Sequence, residues 1–150
     1  MGLDALSALL KKHSRIGLDT NIFIYQLEEH PKYLPATSRV FQWLERTHHT
    51  AVTSTVTFTE LLTNPYAAGD NHRANLCYGL LSRYPNLEWA APSLEIADLA
   101  ARFRADYRLR TPDAIQAATV VRSGAHALLS NDPAFRRVKG LETLVLDDLI

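Results

Sequence analysis

Short apolar runs alternate with longer amphipathic segments along this chain, and the alternation predicts an order of strands and helices. A helix is expected over residues 1–14, a buried strand over Arg15–Leu18, and a second helix from Asp19 through the apolar run that ends at Leu27. Further helices are predicted over residues 35–48, 57–65 and 68–83, from 93 and from 111. Further strands are predicted over residues 50–54, 87–90, 126–129 and 143–146.

Strands that alternate with helices favour a parallel sheet, because two successive parallel strands need a long crossover between them. We therefore expect an α/β fold of three layers, α/β/α, with a central and mainly parallel sheet of four to five strands. The chain has 150 residues and is 47% hydrophobic, which is enough to bury a core but short for two ordinary domains. Residues 1–150 are accordingly expected to form a single domain.

Charge is balanced over the whole chain but not along it. The 16 basic and 16 acidic residues create no overall attraction to nucleic acid or to membranes. Between residues 99 and 139, however, eight basic residues stand against three acidic ones, a local surplus of five positive charges. Arg108 with Arg110, and Arg136 with Arg137, are as consistent with contacts to phosphates as with a solvated surface.

The single cysteine, Cys77, excludes an intramolecular disulfide and a zinc site built from several thiolates, and it favours a reducing compartment. Residues 1–14 lack the long apolar run of a signal peptide. No segment approaches the roughly 20 apolar residues of a membrane span. We therefore expect a cytoplasmic protein without a membrane partner.

Four acidic residues lie beside the boundaries of predicted elements, and each has an ordinary structural explanation. Asp19 lies between a strand and a helix, where aspartate commonly caps backbone amides. Glu60 closes the segment Thr57-Phe58-Thr59-Glu60, which matches a capping box. Asp113 lies in the first turn of a helix, where a carboxylate suits the helix dipole, and Asp132 precedes a proline in a cap-like position.

The shared position of these acids changes the interpretation. Asp19, Glu60 and Asp132 each follow a predicted strand, and Asp113 begins a helix, so all four can lie at the rim where parallel strands end. Carboxylates gathered in a partly dry cleft repel one another unless a cation neutralises them. We therefore expect the carboxylate oxygens of these four acids to converge within metal-bridging reach. Asp19, Glu60, Asp113 and Asp132 are the candidate catalytic residues and metal ligands. Oxygen ligands without cysteine or paired histidine favour Mg²⁺ or Mn²⁺ over zinc.

Four polar neighbours are candidates for orienting water or the metal ligands. They are Thr20, Asn21, Ser130 and Asn131. Ordinary roles in turns and caps explain each of them equally well.

Four short motifs, taken together, resemble those of the PIN-domain family. They are Leu18-Asp19-Thr20-Asn21, Thr59-Glu60-Leu61, Thr111-Pro112-Asp113-Ala114-Ile115-Gln116-Ala117-Ala118 and Ser130-Asn131-Asp132-Pro133-Ala134-Phe135. Their order and separations extend the resemblance from Ile16 to about Leu146. Within the family, the chain is similar to the compact VapC-type toxin ribonucleases of toxin–antitoxin pairs.

The resemblance implies a PIN-like fold and an endoribonuclease that depends on Mg²⁺ or Mn²⁺. Such an enzyme hydrolyses RNA phosphodiesters in line and leaves a 5′-phosphate and a 3′-hydroxyl. Asp19 and Asp113 would be the principal metal ligands, and Glu60 and Asp132 would complete the set. Many relatives carry a further acid where Ala134 stands here, so a second metal is expected to bind weakly or only with substrate.

The resemblance also implies an antitoxin partner and a homodimer. An amphipathic antitoxin helix is expected in an apolar groove near the acids, where a basic side chain of the partner would compete with metal. The candidate apolar surface consists of Phe23, Tyr25, Leu27, Tyr33, Leu34 and Trp43, although burial in the core explains these residues as well.

Three other functions are compatible with parts of this sequence. A phosphorylated Asp19, as in haloacid-dehalogenase-like phosphatases or receiver domains, fits poorly: Asn21 stands where the former carry a second aspartate, and the latter carry an acidic pair before the acceptor. An RNA-processing nuclease of the PIN fold without an antitoxin remains an alternative. A catalytically inert PIN-fold binding module also remains, although a pure binder has no need of so costly an acidic cluster.

Overall fold

The computed structural model describes residues 2–46 and 48–150, and a five-stranded parallel sheet lies at its centre. The strands are β1 (Arg15–Leu18), β2 (Thr50–Ser54), β3 (Leu87–Ala90), β4 (Ala127–Ser130) and β5 (Glu142–Val145). Their spatial order is β3-β2-β1-β4-β5, and each neighbouring pair is parallel. The predicted parallel sheet is thereby confirmed.

Helices of the described residues connect these strands and cover the sheet. They are α1 (Gly2–Lys11), α2 (Thr20–Leu27), α3 (Leu34–Leu44), α4 (Val56–Ala67), α5 (Asn71–Ser82), α6 (Leu94–Tyr107) and α7 (Thr111–Arg122). Short 3₁₀ helices, Pro133–Arg137 and Leu146–Asp148, follow β4 and β5. None of the helices in the described part of the chain is long and apolar enough to cross a membrane.

Alternate side chains of the strands pack into two cores, one on each face of the sheet. Ile16 and Leu18 of β1 belong to the first core, which also contains buried residues of α1, α2 and α3. Val52 of β2 and Leu128 of β4 belong to the second core, with buried residues of α6 and α7. The arrangement is the three-layer α/β/α fold that the sequence predicted.

Gly17 lets α7 lie unusually close to the centre of the sheet. A Cβ atom built on Gly17 would lie 2.3 Å and 2.9 Å from the two γ-methyl groups of Val120 in α7. Only a residue without a side chain fits between β1 and this helix. The close approach fixes the position of α7, which carries Asp113 in its first turn.

The connection of the strands determines where a site can form. The chain builds β1, β2 and β3 outward in one direction and then places β4 on the other side of β1. At such a reversal the two crossover connections leave on opposite faces, and a crevice opens beyond the carboxyl ends of the strands. Asp19 directly follows β1, and the segment that begins at Asn131 directly follows β4.

Most predicted elements agree with the structure, but several helix ends were wrong. Helix α1 ends at Lys11 instead of residue 14, and α5 begins at Asn71 instead of residue 68. Helix α4 continues through Pro65 to Ala67, because a proline in the last turn costs only one backbone hydrogen bond. Helix α3 ends at Leu44 instead of residue 48, and the Asn86 side chain donates to the Leu44 carbonyl oxygen at 2.8 Å. Met1 and Thr47, which the predicted helices included, lie outside the described residues.

Candidate active site

Asp19 lies where β1 ends and α2 begins, and it is only 8% exposed. Its Oδ1 atom accepts a hydrogen bond from the Thr20 backbone N–H at 2.9 Å. Its Oδ2 atom accepts from the Ser130 hydroxyl at 2.6 Å and from the Asn21 amide at 3.4 Å. The capping role anticipated for Asp19 is therefore real, and the neighbouring polar side chains hold both carboxylate oxygens in place.

Burial raises the pKa of Asp19 to about 6, well above the ordinary value for aspartate. The hydrogen bonds from Ser130 and Thr20 oppose that shift, whereas the nearby charges of Asp113 and Glu60 add to it. The charged form of Asp19 therefore costs free energy, because it is buried and lies near the charges of Asp113 and Glu60.

Glu60 lies one turn inside α4 and is exposed at the rim of the sheet. Its Oε1 atom accepts a hydrogen bond from the Thr20 hydroxyl at 2.7 Å. The capping box predicted for residues 57–60 does not form, because α4 begins at Val56 and the Thr57 side chain is fully buried. Glu60 is consequently free of the capping role and faces Thr20, beside Asp19.

Asp113 is the third residue of α7, as the sequence predicted. Its Oδ2 atom accepts from the Arg110 guanidinium at 3.1 Å, and the two side chains are 15% and 75% exposed. The hydrogen bond with Asp113 is the main cause of the raised pKa of Arg110, and the charges of Glu60 and Asp132 contribute to the same shift. Arg110 therefore lies within electrostatic range of three of the four acids.

Asp132 caps the 3₁₀ helix Pro133–Arg137, since its Oδ1 atom accepts from the Ala134 backbone N–H at 2.9 Å. Its own backbone N–H donates to the Ser130 hydroxyl oxygen at 3.0 Å. Ser130 is fully buried and donates its proton to Asp19, so a single hydroxyl joins the two aspartates.

The side chain of Asn131 points to a different set of partners. Its amide nitrogen donates to the Tyr25 hydroxyl at 3.2 Å, and its oxygen accepts from the Asp147 backbone N–H at 3.0 Å. Asn21 accepts from the Asn131 backbone N–H at 3.3 Å. These contacts make Asn131 a support for the segment after β4, whereas Thr20, Asn21 and Ser130 contact the acids directly.

The structure places the four acids near one another, but it does not arrange them as a preformed metal-binding site. Among residues 2–46 and 48–150, no three His, Cys, Asp or Glu side chains are arranged so that they could hold one metal ion. The expectation of oxygens already within bridging reach is therefore wrong. Local donors instead hold the side chains of Asp19, Asp113 and Asp132.

The donor set nevertheless fits a divalent cation. The carboxylates supply hard oxygen ligands, the kind that Mg²⁺ and Mn²⁺ prefer. Burial makes the charged form of Asp19 costly, and Arg110 pairs with Asp113 instead of with Asp19. A cation near Asp19 would remove that cost.

Sequence reasoning missed a buried polar group next to the site. Thr53, Thr57 and Gln116 form hydrogen bonds with one another and lead to Thr20. A usable signal was present in α7, where Gln116 is the polar residue among Ala114, Ala117 and Ala118 on a buried face.

An apolar groove of about 380 Å³ between α2, α4 and α5 reaches the site at Glu60. Its apolar lining includes Ile24, Leu27, Leu61, Pro65, Leu76 and Leu80. The predicted lining was mostly wrong, because of the six candidates only Leu27 lines this groove. Phe23 and Trp43 belong to the core, and Tyr25 stacks on Tyr33 at a centroid distance of 4.2 Å.

In each arginine pair that the sequence placed near the acids, the two side chains have different partners in the structure. Arg110 pairs with Asp113, and Arg136 forms an ion pair with Asp148. Arg108 and Arg137 instead line one open cleft together with Tyr107 and Asp106. Each predicted pair therefore contributes one arginine to this cleft.

Comparison with known proteins gives a family match. A family model described as PIN domain matches residues 16–141, which is most of the chain. A search of curated proteins finds no match.

Solved structures with a similar fold include toxin–antitoxin proteins. A chain of VapBC2 from Rickettsia felis, bound to a promoter DNA fragment, has a TM-score of 0.70 at 18% identity, covering 86% of this chain and 96% of its own. A chain of VapBC-1 from nontypeable Haemophilus influenzae has a TM-score of 0.68 at 22% identity, with coverages of 89% and 98%. VapBC-5 from Mycobacterium tuberculosis, a member of the VapBC family of toxin-antitoxin systems, has a TM-score of 0.58 at 20% identity, with coverages of 88% and 98%. At these identities the likeness establishes the fold alone.

Proposed function

The chain belongs to the PIN-domain family, and from this premise we propose that it is a divalent-metal-dependent endoribonuclease, the toxin of a toxin–antitoxin pair. Residues 1–150 would act as one nuclease domain. The observation that carries the proposal is the buried carboxylate of Asp19, whose pKa is raised to about 6 beside Asp113 and Glu60. A perturbed acid in a crevice at the switch point of a parallel sheet is typical of a functional site.

In this proposal Asp19 and Asp113 hold the cation, and Glu60 and Asp132 complete its surroundings. When bound, Mg²⁺ or Mn²⁺ supplies activation of water near neutral pH and stabilisation of charge on the phosphodiester oxygens. Ser130 fixes the orientation of Asp19 and the backbone at Asp132. Thr20 fixes one oxygen of Glu60, and Asn21 supports Asp19.

RNA is the proposed substrate, and the cleft of Arg108 and Arg137 is the proposed contact for its backbone. Arg108 lies shortly before Asp113 in the sequence, and Arg137 lies shortly after Asp132. Arginine suits phosphate oxygens because its guanidinium donates two parallel hydrogen bonds. Substitution of either residue should weaken RNA binding and reduce its dependence on salt.

The antitoxin is the proposed occupant of the groove between α2, α4 and α5. Most residues that line the groove are apolar, and Glu60 also lines it, so a helix lying in it could present a basic side chain to the acids. A similar structure described as a toxin-antitoxin complex from Klebsiella pneumoniae supports a partner of this kind. Self-association as a homodimer is a separate part of the proposal, and light scattering of the purified chain tests it.

The function is tested by incubating the purified chain with RNA in the presence of Mg²⁺, Mn²⁺ or EDTA. We expect cleavage that requires the metal and that leaves 5′-phosphate ends. Asp113→Asn should abolish it, because the amide keeps the shape of the carboxylate but loses its charge. Asp98→Asn, at an exposed aspartate of α6 that pairs with Arg102 outside the arginine cleft, is the matched control and should cleave like the parent. Metal-independent cleavage, or full activity of Asp113→Asn, would contradict the proposal.

A further inference from the structure

A chain of buried polar side chains connects α7 with Glu60. Gln116 is 2% exposed, and Thr57 is fully buried. The Gln116 amide nitrogen lies 2.9 Å from Thr57 Oγ1, and Thr57 Oγ1 lies 3.3 Å from Thr20 Oγ1. Thr20 Oγ1 in turn lies 2.7 Å from Glu60 Oε1. We call these three residues, Gln116, Thr57 and Thr20, the polar relay.

The orientation of the Gln116 amide is fixed by the sheet. The Ser54 backbone N–H at the end of β2 donates to Gln116 Oε1 at 2.8 Å. Since the amide oxygen must face this donor, the NH₂ group must face Thr57. A flipped amide would place two donors against each other. Thr57 Oγ1 therefore accepts a hydrogen bond from Gln116.

The direction of the remaining bonds follows from the number of protons. The Thr20 hydroxyl has one proton, and the closer, acidic Glu60 oxygen takes it in preference to Thr57. Thr57 Oγ1 is the second and more distant acceptor of the Thr20 proton, at 3.3 Å, and it also accepts from Gln116, so its own proton is left for Thr53, whose hydroxyl lies 2.7 Å away. The Thr20 hydroxyl is thus held between Glu60 and Thr57.

We propose that Gln116 and Thr57 are positioning residues. They orient the Thr20 hydroxyl, and its hydrogen bond to Glu60 keeps that carboxylate in the orientation that metal binding requires. This inference rests on the proposed function. A buried amide is costly unless its hydrogen bonds are made, and an apolar residue among the alanines of α7 would avoid the cost. Glu60 is exposed and has a long side chain, so a fixed hydrogen bond removes rotamer freedom that it would otherwise lose on binding an ion.

The test compares Thr57→Val, which keeps the shape but removes the hydroxyl, with Thr57→Ser, which keeps the hydroxyl. Folding is checked first by circular dichroism and thermal unfolding. Mn²⁺ affinity is then measured by calorimetry, and kcat and KM are measured on RNA. Thr57→Val should lose roughly ten- to hundredfold in Mn²⁺ affinity and in kcat, with KM for RNA unchanged. Thr57→Ser should restore most of both.

A control separates positioning from a general loss of packing. Thr119→Val makes the same chemical change at a buried threonine of α7 whose hydroxyl donates to the Ile115 carbonyl oxygen, outside the polar relay. It should retain parental Mn²⁺ affinity and kcat. If Thr57→Val does not fold, Gln116→Met removes the donor at the other end of the relay and is measured in the same way.

The outcomes distinguish this inference from the function on which it rests. A parent that binds Mn²⁺ and cleaves RNA, together with a folded Thr57→Val variant that matches it, overturns the polar relay alone. Equal losses in Thr57→Val and Thr119→Val also overturn it, since packing would then explain both. A parent that neither binds Mn²⁺ nor cleaves RNA overturns the proposed function and the relay with it.

Discussion

Asp19 is a buried carboxylate at a position where an uncharged side chain would give the folded protein greater stability at neutral pH. The folded-state pKa of about 6 lies above the ordinary value for aspartate, so the folded protein binds this proton more tightly than the unfolded chain does. The protonated acid therefore contributes stability that is fully present below about pH 4. That contribution is lost as the pH rises through about 6, and charged Asp19 destabilises the metal-free protein at neutral pH.

Replacement of Asp19 by asparagine should remove this pH dependence. At pH 7 to 8 the metal-free Asp19→Asn protein should be more stable than the parent, by at most roughly 3 kcal/mol for a shift of about two pKa units. Below pH 4 the two proteins should unfold at similar temperatures. Thermal unfolding in EDTA across this pH range measures the difference. A variant that is markedly less stable than the parent at pH 8 would show that the cap to Thr20 outweighs the cost of the charge.

The same substitution should abolish RNA cleavage, because the neutral amide is a poor ligand for a divalent cation. Stability and activity would then change in opposite directions, which is the signature of a residue retained for function. Cleavage at the parental rate with Mg²⁺ would show that Asp19 is not a ligand that the reaction needs.

At the residue scale, sequence could predict local roles but not long-range partners. The caps at Asp19 and Asp132 and the first-turn position of Asp113 follow from adjacent residues, and each was predicted. The contact between Thr57 and Gln116 joins residues 59 positions apart, and no local pattern indicates it. For the same reason the capping box of Glu60 was wrong, because Thr57 is drawn into the core instead.

At the scale of elements, the strands were predicted well because each is short, apolar and bounded by polar or turn residues. β1, β2 and β3 have the predicted bounds, and β4 and β5 are each displaced by one residue. The helix ends were less predictable. Asn86 lies far along the chain from α3, yet its side chain binds carbonyl oxygens at the end of that helix.

The close approach of α7 to β1 gives a prediction about packing. Gly17→Ala should destabilise the protein by about 1–3 kcal/mol, because the new methyl group would overlap with the rigid side chain of Val120. Val120→Ala in the same protein should recover part of the loss. Chemical denaturation of both single variants and of the double variant measures the coupling. If the two effects simply add, α7 is not held in the way that the Gly17 contact implies.

At the scale of the whole molecule, the order β3-β2-β1-β4-β5 places residues from distant parts of the sequence at one rim. The alternation of elements predicted a parallel sheet and a site at its carboxyl edge, but not the order of the strands. The groove could not be predicted either, since α2, α4 and α5 become neighbours only in the folded chain. An apolar residue in the sequence belongs equally well to a core or to a groove, as Phe23 and Leu27 show.

A partner that binds this groove should be sensitive to charge placed within it. Leu76 lines the groove and is 61% exposed, so Leu76→Glu should disrupt partner binding by burying a charge against apolar surface, while RNA cleavage by the chain alone stays unchanged. Leu94→Glu, at a 91% exposed leucine outside the groove, is the matched control. Co-purification with the product of the neighbouring gene compares the two variants. Equal retention of the partner by both would place the partner elsewhere on the molecule.

The central claim is that Asp19, Glu60, Asp113 and Asp132 gather a divalent cation at the carboxyl edge of the sheet. Anomalous X-ray diffraction from crystals grown with Mn²⁺ tests it most directly, because it locates the metal without reference to activity. We expect a strong anomalous peak in contact with the carboxylate oxygens of Asp19 and Asp113, with Arg110 displaced from Asp113. Peaks at other residues, with none beside Asp19 at saturating Mn²⁺, would contradict it.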